Sequence, residues 1–331
     1  MDNVPLGRTG LTVSVAGLGC GGKSRLGIGP DGSNRSRADA VRLVRTAMDL
    51  GVNYLDTAAS YGTQEIVGRA IARRRHSVVV TTKVRPVARD RSGRVTSRLD
   101  ARTLPMAVGE SLSQLQTDSL DVLMLHSVYP ADYDYCRTVL LPCLDGLKTQ
   151  GMIRFTGISE RFESDKSHQL LTRVVSDDGW DVVLIGFNLL NPSARVAVLP
   201  DALSRDLGVT IMFAVRDLLS RPHLLRAAVR DAVGRGEIDG ALLDSADPLG
   251  FLVHSSGASS LVEAAYRFAR HASGAHVVLT GTGSIDHLRQ NISSINMAPL
   301  PPADVERVLS IFGTTSSFTS SDGTPARPGG S

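Results

Sequence analysis

Aromatic residues are scarce in this chain. Its 331 residues include eight Phe, six Tyr and one Trp, 5% of the total. That leaves little for stacking on bases. The one basic run, Arg73-Arg74-Arg75, falls at an expected helix end, where solvation accounts for it. A surplus of one charge is missing too: 36 Lys and Arg stand against 33 Asp and Glu, a net +3. Nucleic acid is therefore not an expected partner. The three cysteines, Cys20, Cys136 and Cys143, form no CxxC, and one must stay unpaired. A disulfide framework is excluded and a reducing compartment expected, with Cys136 and Cys143 read as small hydrophobes on one helix. The eight His are scattered without HxH or HExxH spacing, so no metal site is expected. No apolar run approaches the roughly 18 residues that span a bilayer, and the first residues lack the layout of a secretion signal. The chain reads as a cytoplasmic globular protein with no membrane partner.

What is present is a repeating unit: a helical stretch, a Gly, a short apolar run, then small or polar residues. It occurs at Gly51, Gly151, Gly208 and Gly274, each read as a left-handed helix C-cap. Adding VSVAGLG near residue 16, VVVTTK (78–83), LDVLMLH (120–126) and WDVVLIGFN (180–188) gives eight apolar runs. They are rich in Val, Ile and Leu without strict alternation, as in strands buried on both faces. The segments between are amphipathic and carry helix starts: a capping box at Ser36–Asp39, and Asn191-Pro192 as N-cap and first helical residue. Eight alternating units predict an α/β fold of the (β/α)8 TIM-barrel type, with an open doubly wound sheet as the runner-up. A β-hairpin is expected over 4–14 and an extra loop or helix over 216–258. The barrel is expected to form a single domain over 1–313, followed by a disordered Ser-, Thr-, Gly- and Pro-rich tail over 314–331.

Gly17-Leu18-Gly19-Cys20-Gly21-Gly22 matches GxGxxG, but KSRLGIGPDGS follows and no helix can open there, which excludes the Rossmann reading. In a barrel the chemistry sits at the C-terminal strand ends. Reading each run to its end gives Asp56, Lys83, His126, Ser159, Asn188 and Ala214, with Tyr61 five residues past Asp56. Asp56, Tyr61, Lys83 and His126 form a titratable set on adjacent strands. A phenol near pKa 10 is a poor proton donor at neutral pH. A neighbouring Lys83 ammonium is expected to lower that value, Asp56 to hold Lys83 charged, and a neutral His126 to orient a carbonyl oxygen. None of these residues carries redox chemistry, so a hydride cofactor is required. Gly281-Thr282-Gly283-Ser284 opens a helix and makes an anion site.

These motifs resemble the aldo-keto reductases over residues 4–296. The resemblance rests on LGRTGLTVS, GVNYLDTAASYG with Glu65, VVVTTK, SLSQLQTDSLDVLMLH, LKTQGMIRFTGIS and GTGSIDHLRQNI, in that order. LLPCLDGLKTQGMIRFTGISE is also similar to the aldose 1-dehydrogenase branch. The resemblance implies a barrel that binds NADPH, with NADH possible, and an NAD(P)-dependent oxidoreductase acting on an aldehyde, ketone or sugar hemiacetal. It carries the catalytic tetrad onto Asp56, Tyr61, Lys83 and His126, with Tyr61 as general acid/base. The cofactor-binding set it implies is Gly19, Cys20, Gly21, Asp56, Ser159, Glu160, Asn188, Phe213, Ala214, Arg216, Gly281, Thr282, Gly283, His287 and Asn291. Within that set Phe213 takes the stacking position and Arg216 the pyrophosphate. His287 and Arg289 are the candidates for a 2′-phosphate.

Ala214-Val215-Arg216 stands where the family has Ser-Pro-Leu, and three single positions also depart from its pattern. Glu160 stands where the family has Asn, Leu184 where it has Gln, and Phe187 where it has Tyr. The changes at Glu160 and Leu184 motivate a second reading, a non-catalytic cofactor-binding sensor or partner module. A third is a lyase forming a Schiff base on Lys83. The substrate loops are expected over 22–36, 127–135 and 216–257, with Lys23, Arg25, Tyr129, Tyr133, Tyr135 and Arg221.

Overall fold

The Val-, Ile- and Leu-rich runs become the strands of one closed sheet. In chain order they are β1 (Ala16–Gly19), β2 (Tyr54–Asp56), β3 (Val79–Val84), β4 (Leu120–Val128), β5 (Ile153–Glu160), β6 (Val182–Gly186), β7 (Gly208–Met212) and β8 (Val277–Thr280). The computed structural model describes residues 1–29 and 35–319. Neighbours run parallel, and β8 closes on β1 with Val278 opposite Ala16 and Thr280 opposite Leu18. Parallel pairing needs a crossover each time, and helices supply it. They are α1 (Arg37–Asp49), α2 (Gln64–Ile71), α3 (Thr103–Leu115), α4 (Leu141–Thr149), α5 (Gln169–Val174), α6 (Leu199–Ser204), an inserted α7 (Pro222–Gly234) and α8 (Leu261–Arg270). After β8 come α9 (Ile285–Ile295) and α10 (Pro302–Phe312). The architecture is the expected (β/α)8 barrel, and α7 fills the long segment after β7. No helix among the described residues is long and apolar enough to cross a membrane.

The expected hairpin pairs Asn3–Pro5 with Thr12–Ser14 and plugs one end of the barrel. Leu6, Leu11 and Val13 enter the interior and join Tyr54, Val122, Met124 and Val182 in a core separate from the helix layer. Arg8 fastens the plug, donating its backbone N–H to the Asp206 carbonyl and its guanidinium to the Trp180 carbonyl, both at 2.6 Å. This closes the N-terminal mouth and leaves the C-terminal mouth open.

Local signals were mostly, not always, obeyed. Ser36 and Asp39 form the reciprocal capping box, and Gly51, Gly151 and Gly274 have positive φ. Gly208 does not: Asp206 takes the left-handed turn at φ 53°. Gly208 opens β7 instead, where a Cβ would sit 2.9 Å from Leu6 Cγ. The helix expected from Pro192 begins at Ala194, with Ser193 as its N-cap. Asn191 Oδ1 accepts from Ser193 N and Oγ, a turn that postpones the helix. The tail boundary at 314 also needs correction. Thr315 and Phe318 are buried, Thr315 Oγ1 donates to the Leu190 carbonyl at 2.7 Å, and Asn191 Nδ2 donates to that of Phe318 at 3.1 Å. The rest of that expected tail, 320–331, and residues 30–34 of the first substrate loop lie outside the described residues.

At the plugged end, Asp121 ties three strands together. Its carboxylate accepts from Val80 N at 2.9 Å and meets Arg75 at 2.8 Å and Arg154 at 2.9 Å. Arg75 belongs to the basic run and also bonds the Ser119 carbonyl. Removing the carboxylate strands one buried N–H and two guanidiniums. Asp121→Ala is expected to lower unfolding free energy by about 2–3 kcal/mol, within the range for hydrogen bonds to a charged group. A denaturant midpoint equal to the parent's would contradict this.

Candidate active site

The open mouth holds a cavity of about 1400 Å³. Asp56 is the last residue of β2, Lys83 the next to last of β3, and His126 lies on β4. The chain leaves β2 through a single 3-10 turn, Ala59–Tyr61, and Gly62 in the left-handed region ends it. That short turn swings the Tyr61 ring over the strand ends. Gly21, two residues past the neighbouring strand β1, leaves room for the ring, which a Cβ there would overlap.

Lys83 is completely buried. Its Nζ donates to Asp56 Oδ1 at 2.5 Å and to the Thr57 carbonyl at 3.0 Å, and lies 5.2 Å from the centroid of the Tyr61 ring. The Tyr61 hydroxyl is 3.4 Å from His126 Nε2, and the two rings meet edge to face at 5.5 Å. Burial pushes the Lys83 ammonium down, but Asp56 and the phenol outweigh it and hold its pKa above the usual lysine range. His126 is pushed down to about 3, by burial first and then by the charges of Lys83, Arg85 and Arg161. It is neutral, as expected. Tyr61 corrects the sequence reading. Burial raises its pKa and the pull of Lys83 only partly offsets this, so the net shift is upward. The group is a protonated phenol at neutral pH. Lys83 is absent from the cavity wall, which removes the Schiff-base reading: no carbonyl reaches an amine enclosed by a carboxylate.

A family model described as the aldo/keto reductase family matches residues 19–312. The chain belongs to this family. Among its relatives is the uncharacterized oxidoreductase YqkF of Bacillus subtilis (strain 168), 26% identical over 92% of this chain and 94% of that one. Another is L-galactose dehydrogenase of Arabidopsis thaliana, 34% identical over 46% of this chain and 47% of that one. A holo-form aldo-keto reductase from Bacillus halodurans shares the fold, with a TM-score of 0.69 at 23% identity, over 93% of this chain and 95% of that chain. As an aldo-keto reductase the protein is an NAD(P)-dependent oxidoreductase, which sets aside the non-catalytic reading.

The remaining wall suits a dinucleotide, although not every residue of the expected set takes part. Gly19, Gly21, Asp56, Ser159, Phe213, Arg216, Gly281, Thr282, His287 and Asn291 line the cavity. Phe213 is held at φ 66°, with the Phe162 ring 5.6 Å away between centroids and the Arg216 guanidinium 3.8 Å over its face. Thr282 Oγ1 accepts from Ser284 N at 3.0 Å and Ser284 caps α9, whose start thus lies beside the cavity at Thr282 and His287. Asn291 is oriented by a 2.8 Å bond to Thr280 Oγ1.

Four expected contacts are turned away or covered. Cys20 and Ala214 are wholly buried, and Gly283 packs on Gly27 beneath the wall. Asn188 is buried as well, its Oδ1 accepting from Leu190 N and Asn191 N to close a turn. Glu160 stays at the wall, but its side chain has 0% exposure. Its oxygens accept from Gly186 N at 2.7 Å and meet His168 Nδ1 at 2.9 and 3.1 Å. Arg216 reaches the wall, with its guanidinium 3.8 Å above the Phe213 ring and 3.4 Å from Glu163. Of the two 2′-phosphate candidates, His287 lines the cavity and Arg289 does not.

Sequence reasoning missed His168, whose pairing with Glu160 crosses a loop and leaves no local signal. It also missed Arg85 and Arg161, each one residue beyond a strand; reading one position past the strand ends would have found them.

Because His126 is neutral when folded, acid favours the unfolded chain, where an ordinary imidazole near 6.5 takes up the proton. This contribution to stability is present above pH 6.5 and is lost as pH falls toward 3, at about 1.4 kcal/mol per pH unit at most. Denaturation at pH 7 and 4.5 should show a shallower loss in His126→Gln than in the parent; parallel losses would refute the assignment.

Proposed function

We propose that this aldo-keto reductase interconverts a small carbonyl compound and its alcohol, with Tyr61 as the general acid/base. A nicotinamide bound beside Phe213 would supply or accept the hydride. The observation that carries the reading is the Tyr61 hydroxyl beside His126 Nε2 and above a buried, charged Lys83. During reduction the phenol gives its proton to the substrate oxygen as that oxygen becomes an alkoxide. The phenolate left behind is stabilised by the Lys83 ammonium, which Asp56 keeps charged. His126, neutral, orients the same oxygen without competing for the proton. In the other direction the phenolate removes the alcohol proton. The likeness to L-galactose dehydrogenase extends the substrate class to sugar hemiacetals, whose oxidation gives a lactone.

NADPH is the proposed cofactor and NADH the second choice. His287 lines the mouth next to Thr282, and Arg25 joins it from a loop whose Leu26 and Gly27 abut Gly283. The three thiols are free, which suits the cytoplasm.

The test is turnover of a panel of simple aldehydes with each cofactor, compared with Tyr61→Phe. The parent should reduce several aldehydes with a lower KM for NADPH. The variant should bind cofactor normally, with kcat lower by about 10²–10⁴-fold, the usual contribution of a positioned acid. An unimpaired Tyr61→Phe enzyme would remove the phenol from the reaction.

A further inference from the structure

The charges on the cavity wall do not balance. Every carboxylate that lines it is paired: Asp56 with Lys83, Glu160 with His168, Glu163 with Arg216, Asp217 with Lys23 and Arg221, and Glu263 with Arg267. Three guanidiniums on the same wall have no carboxylate partner among the described residues: Arg25, Arg85 and Arg161. Arg25 stands on the loop after β1, at the dinucleotide side. The other two stand elsewhere. Arg85 is one residue past β3 and Arg161 one residue past β5, and β4, which carries His126, lies between those strands in the barrel. Going round the sheet, this trio is opposite β7, β8 and β1, where Arg216, Thr282 and Arg25 gather.

Arg161 is held in place although it has no counter-ion. Its guanidinium lies 5.1 Å from the Tyr129 ring centroid, and Arg89 lies 4.9 Å from the same ring. Arg89 is itself neutralised, donating to both oxygens of Asp132 at 2.7 Å. Both Arg85 and Arg161 act by charge on His126. Arg85 is exposed and Arg161 half-buried, and neither guanidinium on this part of the wall is paired with an acid among the described residues. Each presents a planar fork that fits a carboxylate or phosphate, and a bound substrate excludes the water that screens such contacts.

We infer that the substrate is an anionic carbonyl compound, its carboxylate or phosphate gripped between Arg85 and Arg161 while its carbonyl oxygen meets Tyr61 and His126. The inference rests on the Tyr61 reading for the reaction. The carbonyl carbon gains a hydride, its oxygen gains the Tyr61 proton, and the reduced dinucleotide is oxidised. The arginines determine which carbonyl is presented.

The test compares matched pairs on NADPH-saturated enzyme: succinic semialdehyde against 4-oxobutanamide, and glyceraldehyde 3-phosphate against glyceraldehyde. In at least one pair the charged member should be preferred at least tenfold in kcat/KM, less so at high salt, and the winning pair tells carboxylate from phosphate. Arg85→Gln with Arg161→Gln should erase the preference, mainly through KM, and Arg85→Lys with Arg161→Lys should restore part of it. Calorimetry of succinate and inorganic phosphate on the NADP-loaded protein reads the anion site without turnover. Equal use of charged and neutral partners, or a preference that neither double variant moves, overturns the inference and leaves the hydride reading standing. Anion binding that vanishes in the Gln variant, with no carbonyl reduced by the parent, keeps the anion site and overturns the reaction instead.

Discussion

A lysine ammonium and an aspartate carboxylate are buried together under a tyrosine, and the catalytic side of this barrel is arranged around that pair. Burying two ions costs several kcal/mol each after relaxation, by rough estimate, and their attraction seldom recovers more than it loses. The Thr57 carbonyl takes a second Lys83 hydrogen and limits the loss. As a stability device the pair is poor. Its value is electrostatic: a fixed positive charge set 5.2 Å from the centre of the Tyr61 ring, in a medium where water cannot screen it. Without that charge, burial alone would make the phenolate left by proton donation prohibitively unstable.

The barrel topology then distributes the work. β2, β3 and β4 place the proton-handling residues side by side, since parallel neighbours bring their C-terminal ends to one rim. β7, β8 and β1 bring Phe213 and the capped start of α9 to the far rim. The N-terminal hairpin blocks the other end, so only one mouth is open. Lys23 and Asp217, 2.7 Å apart, link the loops after β1 and β7 across that mouth. Glu160 shows how one substitution is absorbed. A carboxylate buried where the family has a carboxamide would be intolerable alone, and His168 and the Gly186 N–H satisfy it.

The eight strands were legible because burial on both faces leaves a long apolar signature. The tetrad was legible because polar groups at the ends of such runs stand out against it. Less visible were features decided by contact between distant segments. The αL turn at Asp206 rather than Gly208 lies against the hairpin, whose Arg8 N–H donates to the Asp206 carbonyl. The burial of Phe318 depends on Asn191, whose side chain donates to its carbonyl from 127 residues away. The sign of the Tyr61 shift was misread for a similar reason. Sequence shows which charges are near, whereas the net shift is set by how completely water is removed, which only the packed mouth determines.

The coupling between Lys83 and Tyr61 can be read directly by ultraviolet titration of the phenolate. The Tyr61 signal is the difference between the parent and Tyr61→Phe, and in a second pair between the Lys83→Met protein and its Tyr61→Phe derivative. A midpoint above that of a free phenol in the parent, moving further up when the ammonium is removed, is the expected result. A midpoint that stays in place or falls on losing Lys83 would show that the lysine does not govern the proton, and the account of this site would fail.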